Sequence, residues 1–206
     1  MTLLTKLFQY VLLATQKYNI DESHGLSHSM NVLHYAKDIY ESEVLNKPYL
    51  IGQKKIIFVA AVIHDMCDKK YVNEDEGIQE ISMFLADKIT QKEIDVTKTI
   101  IQTMSYSKVK VKGYPELAEY QMAYHIVREA DLLTAYDFDR CMIYNMYRKR
   151  GDVNEAFNDA RLLFMNRVLK HNEDNLFITD YSKRVSRELE LGSLKRIGEW
   201  KRLLKR

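Results

Sequence analysis

Apolar residues recur three and four positions apart along most of the chain, which is the spacing that builds one face of an α-helix. The predicted helices span 2–18, 73–88, 90–104, 116–149, 153–169 and 177–206, and another begins between 23 and 27 and ends near 43. Only 7 glycines and 2 prolines interrupt the 206 residues, so we expect short connections. The pattern predicts an all-α fold: one helical bundle over residues 1–194 with a helical extension over 195–206.

The segment Ser105–Pro115, SYSKVKVKGYP, departs from this periodicity. It loses the helical spacing and contains Gly113 and Pro115, so we predict the longest loop inside the domain here. Loops carry much of protein function, and this one could therefore lie beside a site.

The longest apolar run extends from Ile56 to Ile63 and ends at the adjacent pair His64 and Asp65. Lysines precede the run and follow it closely, and it is much shorter than the roughly 20 apolar residues of a membrane span. It therefore predicts a buried core helix. A buried imidazole and carboxylate are costly unless each is paired or binds a metal, so this pair requires partners elsewhere in the chain.

Charge and cysteine usage narrow the class of protein. The formal net charge is +2, but the last twelve residues hold six basic residues and one acid, so the body of the chain is mildly acidic and does not suggest a nucleic-acid surface. Cys67 and Cys141 form no CxxC pair, which indicates a reducing compartment. Polar residues interrupt the first helix, which is no secretory signal, and we expect a cytoplasmic protein.

Two further residues of suitable chemistry lie on apolar helix faces. His28 starts the apolar face of the second helix, and Asp131 shares its side of the long helix with Val127. Helices deliver one or two ligands each to a common interior, so these two can join His64 and Asp65 around a metal ion.

This order of residues resembles the HD-domain superfamily of metal-dependent phosphohydrolases, whose signature is a His, an adjacent His-Asp pair and a distant Asp. The resemblance covers about residues 20–150, and its motifs look like those of small members that act on nucleotides: SHGLSH, AAVIHDMCDKKY, MSYSK and READLLTAYD. It implies that His28, His64, Asp65 and Asp131 bind the metal. Mn²⁺, Mg²⁺, Fe²⁺, Co²⁺ and Ni²⁺ all suit such a nitrogen and oxygen shell. Dinuclear members add histidines after the pair; none occurs here before position 125, so we expect one ion.

The resemblance also implies an activity, namely hydrolysis of a phosphate ester or phosphoanhydride of a nucleotide-like small molecule. Asp68 is the candidate for handling the proton, and His24 is a candidate phosphate contact or proton donor. The candidates for substrate binding are Lys70, at a position usually basic in these relatives, and Lys69, Lys108 and Arg128.

The chain departs from such relatives at Gly25, Asn31 and Leu132, where they tend to carry Asp, Arg and Arg. Two expected cations are therefore missing, which leaves the metal site intact and the substrate open. Arg140 follows Asp131 by nine positions in the predicted long helix, so we expect it to point away from the site. We interpret Cys67 as a packing residue rather than a nucleophile. The remaining histidines are interpreted as structural or surface residues: His34, His125 and His171.

A second hypothesis is a non-catalytic HD-like binding or regulatory module whose basic tail contacts nucleic acid or a partner. The tail KRIGEWKRLLKR carries Ile197, Trp200 and Leu204 on one side, and we favour the interpretation that this stripe packs on its own domain. A third hypothesis, an oxidative HD-domain oxygenase, requires dinuclear histidines that the sequence lacks.

Overall fold

The computed structural model of the chain describes residues 1–205, and within them the fold is all-helical, without strands, as predicted. The helices of this part are α1 (Leu3–Lys17), α2 (Leu26–Val44), α3 (Lys54–Ile63), α4 (Glu74–Leu85), α5 (Gln91–Thr103), α6 (Tyr106–Lys112), α7 (Gln121–Thr134), α8 (Phe138–Arg148), α9 (Val153–Asn166) and α10 (Asp180–Leu204). Short 3₁₀ turns lie at Pro48–Gln53, Ala118–Tyr120 and Val168–Lys170.

Helix α3 forms the centre of the bundle. Its side chains Ile56, Ile57 and Val59–Ile63 are almost completely buried. Helices α2 and α7 pack on α3 and on each other, and α1 and α5 also pack against α3. Because neighbours surround it, this helix has no polar face, which is what its unbroken apolar run requires.

Side-chain caps fix the starts of two predicted helices. Asn73 accepts the backbone N–H groups of Asp75 and Glu76 at the start of α4. Thr90 and Glu93 form a reciprocal capping box at the start of α5. Both signals were readable in the sequence because a cap uses residues close together in the chain.

The predicted loop at 105–115 is wrong in part, because the segment Tyr106–Lys112 forms the short helix α6. Val109 is buried and anchors this helix, while Gly113 ends it with a φ of 73°. After this helix, residues 113–117 form no regular secondary structure. Tertiary packing therefore imposes a helix that the local pattern did not reveal.

The predicted helix 116–149 is also wrong, because the chain forms a 3₁₀ turn and the two separate helices α7 and α8. Asp137 separates the helices: its backbone is extended, and its side chain accepts the N–H of Arg140 at 3.1 Å. An N-cap of this kind begins a new helix with a new direction. The side chains of α8 therefore do not continue the face predicted from α7.

Residues 195–204 of the basic C-terminal segment form the last part of α10, which runs unbroken from Asp180 to Leu204, and Arg206 lies outside the described residues. Ile197, Trp200 and Leu204 are partly buried against the core, so the apolar stripe packs on its own domain as we favoured. In the described residues, no helix combines the length and apolar character needed to cross a membrane.

Candidate metal centre

Three elements bring the four predicted ligands together at one point in the core. His28 lies in the first turn of α2, His64 and Asp65 follow the last residue of α3, and Asp131 lies in α7. The two imidazoles are buried, whereas the Asp65 and Asp131 side chains are 15% and 29% exposed. The cluster is therefore closed on the protein side and open on the side of the carboxylates.

The ligand atoms have the spacing of a single coordination shell. His28 Nε2 lies 3.1 Å from His64 Nε2, 3.1 Å from Asp65 Oδ2 and 3.4 Å from Asp131 Oδ1. His64 Nε2 lies 3.3 Å from Asp65 Oδ2 and 3.7 Å from Asp131 Oδ1. Atoms that bind one ion at about 2.1 Å lie about 3.0 Å apart when they are at right angles. His28, His64 and Asp65 therefore have the mutual spacing of three ligands of one divalent ion, and Asp131 lies next to both imidazoles.

The electrostatics of the cluster also favour a cation. Asp65 Oδ2 is buried and accepts no hydrogen bond in the described residues. Burial opposes ionisation of Asp65 and Asp131, but the adjacent imidazoles outweigh it and hold the pKa of both carboxyl groups well below the usual range. Burial likewise disfavours a charged His64, but the two carboxylates raise its pKa to about 9. Without an ion, a protonated His64 balances part of the carboxylate charge, and a bound metal cation would take over that role.

The backbone after α3 orients the central pair. His64 Nδ1 lies 2.9 Å from the Ala61 carbonyl oxygen, which leaves Nε2 directed at the cluster. The helix does not continue past the pair, since α3 ends at Ile63 and successive turns follow. Helix α4 packs on these turns at Gly77, where an added Cβ would lie 2.9 Å from the Cα of Cys67.

These turns place Asp68 beside the cluster. Asp68 accepts the N–H of Lys70 at 2.9 Å through Oδ1, and Lys70 Nζ lies 3.3 Å from Oδ2. Asp68 lines the cavities on both sides of Asp65 and Asp131. It can therefore reach a group bound at the metal position.

His24 is held by a network that fixes its tautomer. The hydroxyl groups of Ser23 and Tyr71 both donate to the carboxylate of Asp21, and their oxygens lie 2.7 Å and 3.0 Å from His24 Nδ1. Because both protons are committed to Asp21, His24 Nδ1 must be the donor. Nε2 then offers a lone pair, in agreement with the Lys70 Nζ donor 3.2 Å away.

Two cavities of about 160 Å³ and 360 Å³ flank the cluster. The smaller lies toward α4 and α6, and the larger, which we call the chamber, lies between the start of α2, α6, α8 and α9. Both are lined by Asp65, Asp68, Lys70, Ser105, Asp131 and Arg167. A small molecule in either cavity would touch the open side of the metal cluster.

The predicted lysines lie at the smaller cavity. Lys69, Lys70 and Lys108 all line it, and Lys70 also lines the chamber. Lys108 Nζ is already bound to Glu74 at 2.5 Å and to a backbone carbonyl at 2.7 Å. Lys70 is therefore better placed than Lys108 to meet a substrate.

Arg128 is not at the site, so this prediction is wrong. Its side chain is buried on another side of α7, where it donates to the Leu176 carbonyl at 2.5 Å and pairs with Glu129 at 3.2 Å. Its guanidinium also lies 4.8 Å from the ring centre of Tyr114. Three positions along a helix turn a side chain by about 300°, and here that rotation carries Arg128 toward the start of α10.

Arg140 lies at the site, so our prediction that it points away from the site is wrong. Its guanidinium lies 2.8 Å from His28 Nδ1 and 3.2 Å from His28 Nε2, and it donates to the Ser23 carbonyl at 3.1 Å. The cap at Asp137 redirects α8 and brings Arg140 back to the cluster. Asp137 is a residue type that commonly caps a helix, and recognising this cap in the sequence would have indicated the position of Arg140.

Arg167, which no sequence motif indicated, follows α9 and lines both cavities. Its guanidinium lies 4.3 Å from the centre of the Tyr106 ring, and burial lowers its pKa although Asp131 opposes this effect. Tyr144 and Arg148 on α8 line the outer part of the chamber. Arg167 lies beyond the region of resemblance and carries no local signal.

The remaining candidates behave as interpreted. Burial, reinforced by the charge of Asp65, raises the pKa of Cys67 to about 12, so its thiol stays protonated and is a poor nucleophile. His34 is exposed, while His125 and His171 are buried outside the cluster, where burial lowers their pKa values to about 4 and about 3.

Comparisons with known proteins address the fold. No family model and no curated protein matches the sequence. A crystal structure of a protein from Lactobacillus plantarum, solved as a Northeast Structural Genomics target, is similar with a TM-score of 0.72 and 20% identity. The similarity covers 98% of this chain and 96% of that one, so it supports the all-α arrangement of the whole domain.

Proposed function

We propose that the protein is a metal-dependent phosphohydrolase of the HD superfamily, which acts on a phosphate ester or phosphoanhydride of a nucleotide-like small molecule. The observation that carries the proposal is the convergence of His28, His64 and Asp65 at the spacing of one coordination shell, with Asp131 beside both imidazoles. Their order in the chain is that of the superfamily signature.

The four residues fit a single divalent ion. Two nitrogens and two carboxylate oxygens suit Mn²⁺, Fe²⁺, Co²⁺ and Ni²⁺, and Mg²⁺ is also possible. Such an ion, when bound, lowers the pKa of a bound water and neutralises charge on phosphoryl oxygens. Because His28 and His64 are buried and the carboxylates are partly exposed, the open side of the shell faces the two cavities.

Asp68 and His24 supply proton chemistry in this proposal. Asp68 lines both cavities and can accept a proton beside Asp65. His24 exchanges a proton at Nε2, because hydrogen bonds to the Ser23 and Tyr71 oxygens hold its proton on Nδ1. Lys70, within 3.2 Å of that nitrogen, would hold a phosphoryl oxygen nearby.

A location follows from the same proposal. Cys67 and Cys141 are both free thiols, and Cys67 is buried close to the metal cluster. Thiols persist in reducing compartments, so we place the enzyme in the cytoplasm.

The test combines metal analysis with a substrate panel. We expect purified protein incubated with Mn²⁺ to hydrolyse at least one member of a panel of nucleoside mono-, di- and triphosphates and small phosphate esters. Asp65→Ala should lose both bound metal and turnover, because it removes a ligand that contacts both imidazoles. Asp95→Ala on the exposed face of α5 is the matched control and should retain both.

Two outcomes would contradict the proposal. If Asp65→Ala retained both bound metal and activity, the assignment of Asp65 to the metal site would be wrong. No turnover of any compound by the metal-loaded protein, with specific binding of one of them, would instead favour the non-catalytic module.

A further inference from the structure

Three arginines face the chamber without a carboxylate partner. Arg140, Arg148 and Arg167 line it, and none of them has a carboxylate within 4.0 Å among residues 1–205. The other charged residues of the lining are Lys70 and four carboxylates: Asp65, Asp68, Asp131 and Asp137. Guanidinium groups that have no carboxylate partner at a cavity wall are suited to bind an anionic ligand.

The two inner arginines flank the metal cluster. Arg140 lies 3.2 Å from the ligand atom Nε2 of His28, and Arg167 lies in both cavities next to Asp131. In contrast, Arg148 is exposed and lies over the face of Tyr144, 5.6 Å from its ring centre, at the outer part of the chamber. The chamber therefore has Arg140 and Arg167 at its inner end, next to the metal cluster, and Arg148 over the ring of Tyr144 at its outer end.

Metal binding by His28 would make Arg140 available to a ligand. An imidazole that binds a metal through Nε2 carries its proton on Nδ1, and that N–H cannot accept a hydrogen bond. Arg140 donates to this same Nδ1 at 2.8 Å. This N–H of Arg140 is then free to donate to another acceptor, and a phosphoryl oxygen beside the metal position would be within its reach.

The charge of the chamber limits the ligand. Four basic side chains face four carboxylates, so a divalent ion gives the lined volume a net charge of about +2. A phosphate monoester carries about −1.5 to −2 near neutral pH, and di- and triphosphates carry more. At about 360 Å³, the chamber also lies near the lower end of the range for small-molecule sites.

We propose that Arg140 and Arg167 form a clamp for the single phosphate of a monoester, whose organic group lies toward Tyr106 and Tyr144. This inference rests on the proposed function and narrows it, because it selects release of inorganic phosphate from a monoester. The two arginines also stand in for the cations that are missing at Asn31 and Leu132.

Phosphate binding and kinetics test the clamp together. Calorimetry with inorganic phosphate and Mn²⁺-loaded protein should show a drop in affinity of about tenfold or more for Arg140→Met and for Arg167→Met. Arg167→Lys, which keeps the charge without the planar fork, should lie between wild type and Arg167→Met. Arg161→Met, on the exposed face of α9, is the control and should bind as wild type does.

With wild-type protein we expect a higher kcat/KM for nucleoside monophosphates than for the matching di- and triphosphates. The arginine variants should raise KM for the monophosphates, and circular dichroism should show an unchanged helical content.

The outcomes separate this inference from the proposed function. If the enzyme hydrolyses phosphates but phosphate affinity and KM are unchanged in both methionine variants, or triphosphates are preferred, the clamp or its substrate class is overturned and the proposed function stands. If no compound is hydrolysed while phosphate binding still depends on both arginines, the proposed function fails and the anion site stands.

Discussion

Two clusters of charge lie two residues apart on α7, and they are built in opposite ways. The carboxylate of Glu129 accepts the N–H groups of Ile178 and Thr179 at 2.7 Å and 3.1 Å, and the Thr179 hydroxyl at 2.7 Å. It also pairs with the buried Arg128. Among residues 1–205, the carboxylate of Asp131 has no comparable set of donors, and it faces the imidazoles of the metal cluster.

The difference shows how to recognise a ligand site among buried charges. A buried carboxylate whose oxygens all have donors, like Glu129, holds two parts of the fold together. The acceptors of the metal cluster instead converge on one point, and Asp65 Oδ2 has no hydrogen bond in the described chain. Burying such acceptors without partners is unfavourable, and a bound cation would compensate that cost. A buried carboxylate with a full set of hydrogen bonds therefore indicates a structural role, and buried acceptors without donors indicate a binding site.

The largest expected effect comes from Asp131→Asn, which keeps the shape of a proposed ligand and removes its charge. We expect metal affinity to fall by more than the roughly 10–100-fold typical of losing an outer-shell partner, and turnover to vanish. Titration of the metal-free protein with Mn²⁺ measures the first effect. The metal-free variant should keep its helical content, and unchanged metal affinity would contradict the ligand assignment.

Glu129→Gln should give the converse result. The substitution leaves the buried Arg128 without its counter-charge and turns an amide group toward backbone donors, so we expect a loss of about 3–5 kcal/mol in the free energy of unfolding. Urea unfolding measures it. Metal affinity of the folded variant should match wild type. A loss below about 1 kcal/mol would show that the two clusters differ less than their contacts indicate.

Much of this contrast was readable in the sequence. The helical class follows from apolar spacing, and the caps at Asn73 and Thr90 use neighbouring residues. The burial cost of the His64-Asp65 pair demanded partners, and the signature order indicated which ones. The structure brings those four residues together, while their role as metal ligands stays a prediction.

What the sequence did not reveal depends on distant contacts. The period of α7 continues into α8 almost unchanged, so one N-cap at Asp137 was easily overlooked, and with it the position of Arg140. Arg167 comes from a helix end outside every motif and reaches the site only through the packing of α9 on α8. Arg128 has the spacing of a site residue, and only the neighbours on each side of α7 show which cluster it serves.

A buried neutral group provides an intermediate case between the two clusters. The rings of Tyr106, Tyr136 and Phe177 surround His171, and neither of its ring nitrogens has a hydrogen-bond partner in the described chain. Burial, with Arg167 nearby, lowers its pKa to about 3. It is therefore a packing residue that must stay neutral.

This lowered pKa predicts how stability depends on pH. His171 takes up a proton near pH 6.5 when the chain is unfolded but only near pH 3 when it is folded. Its contribution is thus fully present above about pH 6.5 and is lost as the pH falls, by about 2 kcal/mol at pH 5. Urea unfolding at pH 7.5 and 5 should show a smaller loss for His171→Phe. The exposed control His34→Gln should behave as wild type, and equal losses in both variants would contradict the argument.

The smallest effect belongs to Asp139, a carboxylate that also has several donors but lies at the surface. It accepts Trp200 Nε1 at 2.7 Å and Arg196 Nε at 2.8 Å, and thereby fixes the end of α10. The Asp139 and Arg196 side chains are 38% and 51% exposed, so water and salt screen their attraction. Asp139→Ala should therefore cost about 1 kcal/mol or less in the free energy of unfolding. In urea unfolding, the difference from wild type should shrink between about 0.1 M and about 1 M NaCl, because the Debye length falls from about 10 Å to about 3 Å. A cost as large as that of Glu129→Gln would mean that the number of donors, rather than burial, decides what such a carboxylate contributes.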